Sequence, residues 1–95
     1  PARHFVEPTA RPEQVAAMIG KVMEQAPSAV FVAFGRTGYR LLGKTERLIE
    51  SEYHTELRSM NLRSGRPGRI PWPTLRHEYQ LRVDRRANTG STPSN

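Results

Sequence analysis

Arginine is the residue type whose number and position in this 95-residue chain point most directly to a chemical role. The chain carries 15 Lys and Arg residues, of which only Lys21 and Lys44 are lysines, and its net charge is +6. Residues 63–95 hold seven arginines against Glu78 and Asp84, so +5 of this charge falls in the final third. Because a guanidinium binds phosphate through two parallel hydrogen bonds, the asymmetry favours a nucleic acid or another polyanion as partner. GC-rich coding, which raises Arg, Ala, Gly and Pro together, is the alternative source of the bias.

The segment RSGRPGRIPWPTLR, residues 63–76, begins this basic third and holds no acidic residue. Two glycines and three prolines interrupt it, so neither a helix nor a regular strand is expected and we interpret it as a loop. Trp72, the only tryptophan, has three interpretations. It packs with Ile70 and Leu75 over one end of the core, which we favour, or it stacks on a base, or it anchors a protein partner.

The first half of this loop resembles the AT-hook, a short motif with an Arg-Gly-Arg-Pro core. Gly65-Arg66-Pro67 with flanking Arg63 and Arg69 carries the match, and Ser64 stands where the core has arginine. The resemblance implies an extended segment in a narrow minor groove, where concentrated negative potential attracts arginine. A proline-stiffened segment also loses less entropy when phosphates fix it. The predicted nucleic-acid contacts are Arg63, Arg66, Arg69, Arg76, Arg82, Arg85 and Arg86, with Arg36 and Arg40 as additional candidates.

Residues that could catalyse a reaction or bind a metal do not form a recognisable motif. His54 has a carboxylate four residues before it, Glu50, and such a pair is typical of a surface contact. No serine lies in a nucleophile elbow, and the absence of cysteine excludes disulfides and thiolate metal sites. We therefore expect no enzymatic activity, no metal and no cofactor.

Apolar residues predict the elements of the first third. A helix is expected from Pro12 until Pro27 ends it, because apolar residues recur at i, i+3, i+4 and i+7. Its apolar face consists of Val15, Met18, Ile19, Val22 and Ala26. Residues 29–34, AVFVAF, are β-branched or aromatic in large part, which is typical of a short buried strand. Residues 3–7 are interpreted as a weak first strand.

Glycine placement predicts a hairpin after the buried strand. Residues 35–38, GRTG, have glycine at both ends and are interpreted as a turn, with residues 39–43 as the return strand. Thr45 is interpreted as the N-cap of a second helix that ends near Asn61. The narrow apolar face of that helix would consist of Ile49, Tyr53, Leu57 and Met60.

These elements give a small α+β domain over residues 1–86. Alternation of Tyr79, Leu81 and Val83 with polar residues predicts a last strand over 77–86. The order is then βαββαβ, the ferredoxin-like order, in which two helices cover one face of an antiparallel sheet in a two-layer sandwich. Residues 87–95 have no apolar stripe to bury and are predicted to be a disordered tail. Since the sheet has free edges, pairing with a second copy is a further expectation.

The leading functional hypothesis is a small non-enzymatic protein that grips the phosphate backbone of DNA or RNA through the arginine-rich loop and the last strand. The alternative is a protein-interaction or assembly module that uses Trp72, the charged face of the second helix or a sheet edge. The longest apolar run, residues 29–34, is far shorter than the about 20 residues that cross a bilayer. We therefore expect no membrane contact and, without a signal pattern at the start, a cytoplasmic protein.

Overall fold

The computed structural model describes residues 1–60 and 77–86, which form two helices and a four-stranded sheet. The strands are β1 (Ala2–Phe5), β2 (Ser28–Phe34), β3 (Tyr53–Met60) and β4 (Glu78–Arg85), and the helices are α1 (Pro12–Gln25) and α2 (Gly35–Ile49). The predicted α+β class, with two helices and four strands, is confirmed. The order along the chain is β1, α1, β2, α2, β3, β4, so the predicted order βαββαβ is wrong in its second half.

The sheet is mixed, with the strands in the order β1-β2-β4-β3. β1 runs parallel to β2, whereas β4 pairs antiparallel with both β2 and β3. The prediction of an antiparallel sheet is therefore wrong at β1. The cause is α1, which crosses from the end of β1 to the start of β2, and a helical crossover of this kind joins parallel strands. Among the described residues, β1 and β3 are left as the two edges of the sheet.

One hydrophobic core lies between the two helices and one face of the sheet. From the helices it takes, among others, Val15, Ile19, Met23, Leu41, Leu42 and Ile49. From the sheet it takes Ala29, Phe31, Ala33, Leu81 and Val83. Because strand side chains alternate between faces, these positions place both helices on the same side of the sheet, as predicted. Each fully buried large side chain contributes roughly 1.5–3 kcal/mol to this packing.

The segment predicted as a hairpin forms the first half of α2. Gly35 has φ +78°, a left-handed conformation that turns the chain from β2 directly into the helix. Gly38 is buried, and a Cβ atom built on it would lie 2.8 Å from Cβ of Ala33, so glycine allows α2 to lie close to β2. The two glycines that suggested a turn therefore serve a strand-to-helix junction and a close helix–strand contact.

The predicted second helix over Thr45–Asn61 is also wrong. Thr45 is buried inside α2, where its Oγ1 donates to the Leu41 carbonyl at 2.8 Å, so it is not an N-cap. α2 ends at Ile49, and Tyr53–Met60 form β3. The spacing of four between Ile49, Tyr53 and Leu57 misled the prediction because it fits one face of a helix and also one face of a strand.

The predictions for α1, β2 and β4 are confirmed within one or two residues at each end. α1 begins at Pro12 as expected, and the Gln14 side chain accepts a hydrogen bond from the Arg11 backbone N–H at 2.9 Å. Neither helix of the described ranges has the length and apolar content to cross a membrane. The tail predicted at residues 87–95 and the loop at 63–76 lie outside the described residues.

Candidate nucleic-acid interface

The outward surface of α2 carries a row of basic side chains. Arg36, Arg40, Lys44 and Arg47 are all exposed and follow one another at spacings of four, four and three residues. These spacings place them on one face of a helix. The buried positions of the same helix are Gly38, Leu41, Leu42, Thr45 and Ile49. The four side chains are called the α2 basic face below.

The α2 basic face is not neutralised by its surroundings within residues 1–60 and 77–86. No carboxylate oxygen in these ranges lies within 4.0 Å of a nitrogen atom of the four side chains. Glu46, the acidic residue within α2, instead accepts a hydrogen bond from Oγ1 of Thr55 at 2.8 Å. The four cations therefore form no ion pair within the described residues, although Glu46 lines the same groove as Arg40, Lys44 and Arg47.

The start of α2 adds to the positive potential. The first turn holds no acidic residue, and the N-cap residue Phe34 has no side-chain oxygen with which to accept hydrogen bonds from the free N–H groups. The amino end of a helix carries about half a positive elementary charge from its aligned peptide dipoles. Arg36 lies in this first turn, so the basic face begins at the positive end of the helix dipole.

A shallow groove of about 410 Å³ runs between α2 and β3, alongside the basic face. It is lined by Gly43 and Leu57, by the basic residues Arg40, Lys44 and Arg47, and by one acidic residue, Glu46. Tyr39 closes one end and is 48% exposed, with its ring 4.8 Å from that of Tyr79. Since the Tyr79 ring holds it from one side, Tyr39 presents an exposed aromatic surface next to cations.

The predicted contacts Arg63, Arg66, Arg69 and Arg76, and Trp72, lie outside the described residues. The positions on either side of this segment are described. Met60 ends β3 opposite Glu78 at the start of β4, and the His77 carbonyl accepts a hydrogen bond from the Gly35 N–H at 3.0 Å. The chain therefore enters β4 beside the first residue of α2, where the basic face begins.

Arg82 lies on the face of the sheet opposite the helices and is held by a neighbour on its own strand. Its Nε and Nη2 atoms donate to the two carboxylate oxygens of Asp84 at 3.0 and 3.3 Å. The hydrogen bond from Arg82 to Asp84, and after it the negative charge of Asp84, raises the pKa of Arg82. The predicted phosphate contact of Arg82 would thus compete with Asp84, and it stays a prediction.

Arg85 and Arg86 contact the carboxyl ends of the two helices. Nη2 of Arg85 donates to the Met23 carbonyl at 3.1 Å, and Nη2 of Arg86 donates to the Glu50 carbonyl at 2.9 Å. Met23 has no helical N–H donor four residues on, because that residue is Pro27. Both arginines therefore satisfy carbonyls that helix ends leave free, and their charge complements the negative end of the dipole.

Apart from Arg82, the predicted basic residues in the described ranges fall into two groups, one near each end of β4. At about 3.3 Å per residue, Glu78 and Arg85 are roughly 23 Å apart. Arg36 lies at the Glu78 end, with Arg40 one turn further along α2, whereas Arg85 and Arg86 lie at the other end. Arg36 and Arg85 are therefore at different ends of the sheet, whereas Arg86 contacts the Glu50 carbonyl at the end of α2, three residues after Arg47.

Lys44 and Arg47 were not among the predicted contacts, although the structure places them beside Arg40. The sequence contained a usable signal, since residues 36, 40, 44 and 47 share one helical face. That signal was hidden because residues 39–43 were interpreted as a strand. Within the described ranges, no group of three or more His, Cys, Asp or Glu side chains could hold a metal ion.

Comparison of the chain with protein-family models, with curated proteins and with solved structures finds no match.

Proposed function

We propose that this protein binds nucleic acid through the phosphate backbone, with the α2 basic face as its contact surface among the described residues. One observation carries the proposal: four exposed cations share one helical face, and no described carboxylate lies within 4.0 Å of them. Neutralising phosphates with such a face would release condensed counterions, which supplies most of the affinity in backbone binding.

The spacing of the basic face suits a phosphate chain. From Arg36 to Arg47 the helix advances about 16.5 Å, at 1.5 Å per residue. One strand of duplex DNA carries a charge about every 3.4 Å along its axis, so the face spans about five phosphates of a strand. Contacts to phosphates position a protein without reading bases, and we therefore propose binding with little sequence preference.

The exposed ring of Tyr39 adds a contact that only an unstacked base can make. It stands next to Arg40 at the end of the groove between α2 and β3. Stacking of a base on an aromatic side chain contributes about 1–3 kcal/mol in proteins that bind single strands. We therefore propose that single-stranded DNA or RNA binds at least as well as duplex DNA.

The arginines of residues 63–76 are proposed as a second set of contacts. The proposal rests on their charge in the sequence and on the position of His77, which is hydrogen-bonded to the first residue of α2. Arg82, Arg85 and Arg86 are secondary in this proposal because each already has a partner within the protein. The cytoplasm is the proposed compartment, on the ground of the missing cysteines.

Fluorescence anisotropy with labelled duplex DNA, single-stranded DNA and RNA of equal length, at low salt, tests the proposal. The wild-type protein is expected to bind, and Arg40→Gln combined with Lys44→Gln should weaken binding at least about tenfold, which equals about 1.4 kcal/mol. Lys21→Gln is the control, since Lys21 is an exposed lysine on α1. Absence of wild-type binding to all three would refute the function, and equal binding by the double variant would refute the site.

A further inference from the structure

β3 is an edge of the sheet, and the direction of its outward backbone groups follows from the hydrogen bonds of β4. Gly35 donates to His77, and Arg85 donates to Pro27, so the odd-numbered residues of β4 direct their backbone groups toward β2. In an antiparallel ladder these groups alternate, so the even-numbered residues of β4 bond to β3. Their partners in β3 are also even-numbered. Within the described ranges, Tyr53, Thr55, Leu57 and Ser59 therefore direct backbone N–H and C=O groups away from the sheet.

Side chains on the two faces of β3 differ in character. On the face opposite the helices, Nε of Arg58 lies 3.5 Å from Oε2 of Glu56 in an ion pair within the chain, and the two side chains are 46% and 57% exposed. On the helix face, Leu57 lines the groove beside α2 and is half-buried. Edge strands are commonly protected against pairing by charged side chains or prolines. β3 has no proline, and its two charged residues are of opposite sign, so an antiparallel copy can place opposite charges face to face.

We propose that β3 pairs antiparallel with β3 of a second copy of this chain, with the two-fold axis at Leu57. In this register Leu57 faces the partner's Leu57, and Glu56 faces the partner's Arg58 on both sides of the axis. A shift that centres the axis on Glu56 would bring two carboxylates together, and one centred on Arg58 would bring two guanidinium groups together. Like charges directly opposite are destabilising in a sheet, so charge favours the Leu57 register over these two.

The backbone geometry agrees with the same register. Leu57 and Thr55 have outward backbone groups, so Leu57 with its copy, and Thr55 with the partner's Ser59, form hydrogen-bonded pairs. Counting both sides of the axis, these pairs make about six hydrogen bonds between the copies. Glu56 and the partner's Arg58 then occupy non-hydrogen-bonded positions, where the Cα atoms are only about 4.5 Å apart and side chains meet most closely.

Such a dimer would have one eight-stranded sheet, made of two four-stranded halves. Its two-fold axis stands perpendicular to the sheet, so the helices of both copies lie on the same side. The two α2 basic faces would then lie on the same side of the dimer. The pairing itself does not depend on nucleic-acid binding, and the two proposals can fail separately.

Sedimentation velocity of the full chain, from low to high micromolar concentration, tests the pairing. The wild-type protein is expected to dimerise. Glu56→Arg places a guanidinium opposite the partner's Arg58, and Arg58→Glu places a carboxylate opposite the partner's Glu56, so each variant alone should sediment as a monomer. An equimolar mixture of the two should form a heterodimer, because opposite charges then meet at both positions.

Two further variants separate pairing from folding. Ser59→Pro removes an outward N–H without removing a bond to β4, so it should abolish the dimer and leave the circular dichroism spectrum unchanged. Glu24→Arg makes the same charge change on the exposed side of α1 and should dimerise like the wild type. A monomeric wild type, a dimer that survives in all three β3 variants, or a mixture that stays monomeric would overturn the proposal.

Discussion

Replacing Gly38 with alanine tests the packing of α2 on β2, which the sequence did not predict. The added Cβ atom would lie 2.8 Å from Cβ and 3.1 Å from the backbone carbonyl carbon of Ala33. Because these atoms belong to a buried strand, α2 must move away from the sheet. Overpacking of this kind costs about 1–3 kcal/mol. The higher helix propensity of alanine returns about 1 kcal/mol, so we expect a net loss of up to about 2 kcal/mol.

Gly20→Ala is the matched control. Gly20 also lies inside a helix, but nothing stands within 4 Å of the position that its Cβ would occupy. This variant should gain about 1 kcal/mol from helix propensity alone. Urea unfolding followed by circular dichroism measures both free energies of unfolding, and we expect Gly38→Ala to lie about 1–3 kcal/mol below Gly20→Ala. Equal changes in the free energy of unfolding for the two variants would refute the close contact between Gly38 and Ala33. A turn instead of a helix at residues 35–38 would also refute it.

Three other substitutions give stability predictions that urea unfolding can check. His4→Phe should stabilise the fold by about 1 kcal/mol, because His4 Nε2 is buried without a hydrogen-bond partner in the described residues. The His4 ring already stacks on the Phe31 ring, with 5.2 Å between the ring centroids, so a phenyl ring fits the same place. A decrease in stability would contradict this. Gly35→Ala should cost about 1–2 kcal/mol because φ there is +78°; an unchanged midpoint would argue against the left-handed turn. Arg85→Gln should lower the free energy of unfolding by about 1 kcal/mol because it removes the hydrogen bond to the Met23 carbonyl. The affinity for nucleic acid should stay nearly unchanged, and a large drop in affinity would place Arg85 in the binding site.

The sequence predicted an element correctly where its apolar residues fitted the periodicity of only one type of secondary structure. The apolar face of α1 repeats over two turns and is bounded by Pro12 and Pro27, and β4 alternates strictly over Tyr79–Val83. The helical spacing of α1 does not fit a strand, and the strict alternation of β4 does not fit a helix. Their positions and approximate ends were therefore recovered from local chemistry alone.

The helix over residues 35–49 was not predicted because its buried face includes residues that are not typical of the apolar face of a helix. Gly38 and Thr45 are buried in α2, yet glycine is typical of a turn and threonine is typical of a helix cap. Only the contact with Ala33 and the hydrogen bond to the Leu41 carbonyl explain their burial, and the contact with Ala33 depends on tertiary packing. The error also concealed the candidate site, since Arg36 and Arg40 join Lys44 and Arg47 on one face only if residues 35–49 are helical.

The most direct test of phosphate binding by α2 uses the two lysines of the chain. Lys21 and Lys44 are both exposed and lie in the interiors of α1 and α2, so replacing either with glutamine changes charge equally. The slope of log Kobs against log salt concentration on duplex DNA falls in magnitude by about 0.9 for each phosphate that the protein no longer neutralises. Lys44→Gln is expected to reduce the slope by that amount, and Lys21→Gln to leave it unchanged. Equal slopes for wild type and Lys44→Gln, or an equal reduction in both variants, would contradict a phosphate-binding face on α2.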